Sequence, residues 1–261
     1  MTDRTSIARR RLVTGVVGTS FATLLAGCDR LASDAGVNNL LGKAAFVSKS
    51  IQRVVTPRQA LAREFAETDI SKVFKPNGTT DPDDDDYQAL AGNNFADWRL
   101  EIGGLVEHPM KLSLADLREL PARTQITRHD CVEGWSCIGK WKGAVLSEVI
   151  RRVGLQPKAR YLVFYCADPM SESLMSAQNK YYESIGLEDV FHPQTILAYE
   201  MNDQSLPIAH GAPVRLRVER QLGYKMAKYV MRVEAVESFA HIAGGKGGYW
   251  EDQGYEWYAG I

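Results

Sequence analysis

The sequence predicts an α+β domain, and three observations carry that expectation. Apolar stretches of strand length recur through the second two thirds of the chain; short helical stretches fall among them without regular strand-helix-strand repetition; and no internal repeat is evident. With 261 residues, 45% hydrophobic and 24% charged, the chain has ordinary globular composition and enough length for one substantial core.

Taken in order, residues 38–68 alternate apolar and basic positions at helical spacing, with Pro57 as a break, and predict a helical stalk. The acidic run Asp81-Pro82-Asp83-Asp84-Asp85-Asp86 lacks the spaced ligands and distal glutamate of a calcium loop and predicts a solvated linker. Residues 98–106 alternate as a strand, and Ser113-x-x-Asp116 opens a short helix with a serine N-cap. A strand over 124–129 ends at Cys131, a helix covers 145–153, and 161–166 is a buried strand. Residues 195–200, 214–218 and 229–236 supply further strands. The glycine-rich, aromatic stretch 244–258 has two readings, a tail whose rings anchor it to the surface or a lid over a site. In the second, Tyr249 donates a hydrogen bond to a substrate or metal-bound oxygen.

The N-terminus reads as an export signal. Arg9-Arg10-Arg11 precedes a weakly apolar run, 12–26, that is shorter than the roughly 20 residues of a membrane span and ends in Leu25-Ala26-Gly27-Cys28. The arginines resemble a twin-arginine signal and the last four residues a lipobox, so 1–27 would be removed and Cys28 lipidated. The remaining 234 residues carry a net charge near −4, since the signal takes four arginines and one aspartate from a total of −1. Nucleic acid is excluded as a partner on that balance.

Removing Cys28 leaves Cys131, Cys137 and Cys166 in an oxidising compartment, so at least one thiol lacks an intramolecular partner. Cys131 stands in Arg128-His129-Asp130-Cys131-Val132-Glu133-Gly134-Trp135-Ser136, a polar and aromatic setting with Arg128 and His129 close enough in sequence to favour a thiolate. A metal ligand fits this setting; a small buried hydrophobe is the alternative. No C-x-x-C pair supports a zinc ribbon. Further on, His210-Gly211-Ala212-Pro213-Val214-Arg215 leads through an alternating strand to Gly223-Tyr224-Lys225, a turn where backbone N–H groups and a lysine can meet an anion.

These separated motifs, with Trp141 and Gly143 between them, resemble the sulfite-oxidase-type molybdopterin enzymes, most closely the branch that holds the bacterial periplasmic methionine sulfoxide reductases. The resemblance spans about 90–240 and implies a single catalytic domain, 88–261, with a molybdenum-molybdopterin cofactor. It implies that Cys131 is the metal thiolate and that Asn93, His210, Arg215, Gly223, Tyr224 and Lys225 bind the cofactor. Cys166 falls where the reductases have a threonine, and His210 where they have an asparagine. His129 and Lys228 join the cofactor-binding set on chemistry alone.

Sulfite oxidases follow the ligand cysteine with arginine, whereas this chain has Trp135 and Ser136. An indole and a hydroxyl suit a neutral substrate better than a dianion that needs paired cations, with Arg128 and Arg217 the nearest replacements. The expected activity is therefore oxygen-atom or two-electron transfer on a small neutral S-oxide or N-oxide. No second redox motif is present, so electrons must come through a partner, a haem-bearing membrane subunit as the resemblance implies. Residues 28–87 become a lipid-anchored stalk and linker on the periplasmic face of the inner membrane. The rivals are a metal-free binding module on the same fold and a sulfite-oxidase-like dehydrogenase.

Overall fold

The computed structural model describes residues 60–170 and 180–261, together with Gly36. The signal 1–27, Cys28 and the stalk up to residue 59 lie outside the described residues. Where the expected stalk enters the described region it is not an α-helix: residues 60–66 are irregular apart from a bridge at Glu64, and a single 3-10 turn follows at Glu67–Asp69. Strand pairing replaces helix formation here, since Glu64 bridges Thr127 and Phe65 N–H donates to the Ile126 carbonyl at 2.9 Å.

The acidic linker also ends differently. Asp84 caps helix α1, Asp85–Gly92, its carboxylate accepting from Tyr87 N–H at 3.0 Å. An aspartate run before apolar Tyr87 thus serves as cap and acidic first turn, where carboxylates meet the positive end of the helix.

Ten strands follow: β1 Leu100–Gly104, β2 Met110–Leu112, β3 Ala122–Asp130, β4 Ser136–Val145, β5 Tyr161–Pro169, β6 Lys180–Gly186, β7 Ile196–Met201, β8 Gln204–Ser205, β9 Arg215–Arg217 and β10 Val230–Val236. The short helices are α2 Leu114–Glu119, α3 Leu146–Val153, α4 Leu187–Val190 and α5 Tyr249–Asp252. One sheet runs β2-β1-β10-β5-β6 and the other β3-β4-β7-β8, with β9 beside β7. Only β1 and β10 pair in parallel among these strands. The architecture is the expected α+β class.

Local chemistry explains the elements. Ser113 Oγ accepts from Asp116 N–H at 3.1 Å while Asp116 accepts from Ser113 N–H at 2.7 Å, a reciprocal capping box for α2. Helix α3 buries Leu146, Val149, Ile150 and Val153, the i, i+3, i+4, i+7 face, each contributing about 2 kcal/mol. Gly143 is required by packing, because a Cβ there would lie 2.2 Å from the Leu197 carbonyl where β4 pairs with β7 at a register shift. The main core joins Trp98, Leu100 and Phe164 of one sheet region to Leu197 and Leu216 of the other.

Candidate active site

Strand β3 and strand β4 form a hairpin whose turn carries Cys131. Cys131 N–H donates to the Trp135 carbonyl at 3.0 Å and Gly134, in the left-handed region at φ 85°, donates back to the Cys131 carbonyl. The turn presents Cys131, Val132 and Glu133 to a cleft of about 170 Å³. The same cleft is lined by Asp168 and Met170 at the end of β5 and Tyr181 of β6. Gly223, Tyr224, Met226 and Lys228, the tail residues Trp250 and Tyr255, and the segment Asn77-Gly78-Thr79 complete the lining.

Four of the residues predicted from sequence line this cleft: Cys131, Gly223, Tyr224 and Lys228. Others stand one layer behind it. His129 is buried, its Nδ1 receives Arg217 Nη1 at 3.1 Å, and its Nε2 has no hydrogen-bond partner. Because a guanidinium only donates, Nδ1 is the acceptor and the proton sits on Nε2. Burial first, and then Arg217, hold the imidazole neutral. Arg215 lies fully buried, donating to the His210 and Met226 carbonyls at 3.0 and 3.4 Å. Cys166 is buried in β5, and burial pushes its thiol well up, so it stays protonated there.

Several expectations need correction. Asn93 is the exposed C-cap of α1, bonded to Asp97 at 2.7 Å, and does not line the cleft. Tyr249 packs on Tyr181 and Trp250, and its neighbours Trp250 and Tyr255 face the cleft in its place. Lys225 carries no free charge toward an anion: its ammonium is buried between Glu183 and Glu251, because the turn points it into the sheet rather than outward. His210 half-buries its ring against Phe74, 5.4 Å between centroids, outside the lining. Neither Arg128 nor His129 stabilises a thiolate at Cys131, since Arg128 pairs with Asp130 and His129 is neutral. Burial raises the Cys131 thiol instead. Trp135 and Ser136 turn away from the cleft to bond Glu133 and Asp130, so the wall is made by Val132 and Glu133.

The glycine-aromatic tail is tied down and forms part of the cleft. Asp252 accepts from Tyr182 Oη and from Gly244 and Lys246 N–H, and Trp257 Nε1 donates to Ser184 Oγ at 2.8 Å. Trp250 stacks on Tyr255, centroids 5.4 Å apart, which in turn meets Tyr224 edge-on.

Sequence reasoning missed Asn77, Asp168, Met170 and Tyr181. They stand on segments that tertiary pairing brings to the cleft, and a lone aspartate at a strand end carries no local signal.

The donor set fits an anionic, metal-bearing cofactor. Cys131 offers a soft ligand that a bound metal would deprotonate, as the chain's own cations do not. Among the described residues no group of three or more His, Cys, Asp or Glu gathers, and Cys131 is the soft donor in the cleft that would hold a metal. Lys228 lies buried with its ammonium on the Asn77, Thr79 and Ala209 carbonyls, and burial followed by Arg215 pushes its pKa down to about 7. Arg215 is pushed down to about 9 by burial and then Arg217. Two buried cations bonded to carbonyls rather than carboxylates favour an anion nearby. The unpartnered Nε of Arg215 and Nε2 of His129 are further donors.

The cleft and its α+β frame are those of a cofactor-dependent oxidoreductase, as the family match shows. Residues 88–241 match the model of the oxidoreductase molybdopterin binding domain, and the chain belongs to that family, the sulfite-oxidase-type enzymes, with molybdenum-molybdopterin as cofactor. It is 35% identical over 253 residues to the putative protein-methionine-sulfoxide reductase subunit YedZ1 of Azospira oryzae, covering 97% of this chain and 88% of that one. It is 32% identical over 205 residues to the protein-methionine-sulfoxide reductase catalytic subunit MsrP of Xanthomonas axonopodis pv. citri, covering 73% of this chain and 62% of the relative. The sulfane dehydrogenase SoxCD of Paracoccus pantotrophus overlaps 54% of this chain and 39% of its own at 26% identity, with a TM-score of 0.48.

Proposed function

We propose that this enzyme reduces small neutral S-oxides, with N-oxides as a secondary class, taking electrons from a haem-bearing membrane partner. The observation that carries this reading is the lining of the Cys131 cleft. Val132, Met170, Met226, Trp250 and Tyr255 offer apolar and aromatic surface, and the carboxyls in the wall are Glu133 and Asp168 against one ammonium, Lys228. A sulfite dianion would meet like charge and incomplete countercharge there at a cost of several kcal/mol. A sulfoxide is neutral, amphipathic and presents one oxygen. The names of the relatives described above agree with this chemistry.

When bound, the cofactor supplies the two-electron step and oxygen-atom transfer. The chain's residues hold it by Cys131, neutralise it through Lys228 and Arg215, and shape the substrate space with Trp250 and Tyr255. The wider arrangement is a removed signal over 1–27, a lipid anchor at Cys28 with tether and N-terminal segment to 87, and the catalytic domain 88–261 on the periplasmic face of the inner membrane. The signal pattern of the first 28 residues supports it.

The test is metal analysis of the exported protein followed by steady-state turnover. Molybdenum near one per chain, dye-driven reduction of sulfoxides and negligible sulfite oxidation are expected. Efficient sulfite oxidation with inert sulfoxides would overturn the substrate reading, and loaded protein inert to both would overturn the reductase.

A further inference from the structure

We propose that Asp168 is the proton donor of the cleft, delivering one of the two protons that oxide reduction consumes; this rests on the reductase reading. Three geometric facts place it there. Asp168 lines the same cleft as Cys131, it is only 4% exposed, and its Oδ1 has no hydrogen-bond partner. A buried carboxyl oxygen without a partner is costly and marks a position where an atom of a ligand belongs. Its environment keeps the proton available. Burial is the main influence and pushes its pKa up to about 7, opposed by Lys228, its own backbone N–H, the Thr79 side chain and Lys180. The other titratable groups around it are Cys166, Tyr87, Tyr181 and Tyr229, all buried side chains whose own pKa values lie raised. None of these four releases a proton in the neutral range, and Glu183, a buried acid that is also raised, does not line the cleft, so Asp168 is the lining acid that titrates there beside Lys228, whose own value is also about 7.

The balance is R₂S=O + 2 e⁻ + 2 H⁺ → R₂S + H₂O. The S–O bond breaks, sulfur is reduced, and a one-electron donor such as a haem protein or viologen supplies both electrons through the cofactor. Asp168 gives one proton to the departing oxygen, bulk solvent gives the other, and solvent reprotonates the carboxylate. An acid poised near neutral pH suits this task, because it is protonated often enough to act and strong enough to give the proton up. Glu133, across the cleft, is held below the usual carboxylate range by the Trp135 indole and Lys75, and so is ionised when Asp168 is not.

The experiment uses molybdenum-loaded full-length enzyme, dithionite-reduced viologen and dimethyl sulfoxide, with wild type, Asp168→Asn and Asp168→Glu. Wild-type kcat is expected to fall as pH rises through about 7, and Asp168→Asn to lose that limb and about 100-fold in rate at neutral pH with unchanged molybdenum content. Asp168→Glu should regain the limb and part of the rate. Infrared difference titration gives a readout independent of turnover: wild type should show a carboxyl band that titrates in the neutral range and is lost in Asp168→Asn, a loss that separates it from any band of the other raised acid, Glu183. Full rate and an unaltered pH profile in loaded Asp168→Asn would overturn the proposal, as would no such band in wild type. If loaded wild type turns over no oxide while the band titrates and disappears with Asp168→Asn, the substrate reading and the donor's role in oxide reduction fall together, while the neutral-range acid at Asp168 stands.

Discussion

Gly223 lies against the ring of His129 so closely that a Cβ would stand 2.4 Å from both Cε1 and Nε2. Glycine at this turn is thus a steric requirement and not a conformational one, since its φ lies outside the left-handed region. The ring cannot easily retreat, with Arg217 on Nδ1 and Phe74 and Trp135 rings at 5.9 and 5.7 Å. Gly223→Ala should therefore cost about 1–3 kcal/mol and lower the melting temperature of the apoprotein. It should also lower molybdenum content, because Tyr224 follows directly and lines the cleft. Calorimetry and metal analysis check both, and an unchanged melting temperature would refute the steric account.

Cys131→Ser should keep the fold and abolish sulfoxide turnover, because a hydroxyl is a harder and far less acidic ligand than a thiol. Cys137→Ser should be mild, since the Cys137 sulfur meets only the Val73 carbonyl at 3.8 Å among its hydrogen-bonding contacts. Activity with one artificial electron carrier, alongside circular dichroism, separates the two. Equal rates for Cys131→Ser and wild type would remove Cys131 from the metal.

How much of this was legible in the sequence depended on whether a signal was local. Strands β1, β3, β5, β7, β9 and β10 and helices α2 and α3 were readable because each carries its own alternation, apolar run, cap or helical stripe. Strand β4 was not: Gly139, Gly143 and two lysines interrupt its pattern, and the strand is specified instead by full-length pairing with β3. Asp84 is one charge among many in the sequence, and its role as a cap depends on the Tyr87 N–H that it meets. At the site, Cys131, Gly223 and Tyr224 came from motifs readable along the chain, and Lys228 from its chemistry alone. Asp168 reaches the cleft through the pairing of β5 with β10 and β6, and Trp250 through the anchoring of α5 by Asp252, neither of which leaves a pattern in sequence. The side chains of Lys225 and Asn93 are directed by Glu183 and Glu251 and by Asp97, partners that no local pattern announces.

Export and anchoring give a prediction about the N-terminus. Cys28→Ala should yield protein that is exported yet recovered in the soluble fraction, since acyl chains hold a lipoprotein with about 0.8 kcal/mol per buried methylene. Asp29, next in sequence, resembles the residue that retains some lipoproteins in the inner membrane. Fractionation of wild type and variant is the measurement, and recovery of wild type mainly in outer membrane would contradict the placement.

The ammonium of Lys225 joins Glu183 of β6 to Glu251 of α5, with all three side chains fully buried. It therefore fastens the aromatic C-terminal wall of the cleft to the sheet. Lys225→Met should cost about 3–5 kcal/mol, because the methionine fills the space but leaves two carboxyls without a countercharge. Adding Glu183→Gln and Glu251→Gln should recover much of that loss. The pH dependence has a definite sign. Burial is the main cause that raises Glu183 well above its ordinary 4.5, so the native state keeps a proton that the unfolded chain releases. Its contribution to stability is fully present below pH 4.5 and is lost as pH rises through the folded value. Lys225 lowers that folded value in the wild type, so removing it should carry the loss to higher pH and deepen it, by about 1.4 kcal/mol for every tenfold weakening of the buried acid. Apoprotein melting temperatures across the acid and neutral range decide the matter. A Lys225→Met protein that melts with wild type at every pH would show that the two glutamates are satisfied without the lysine.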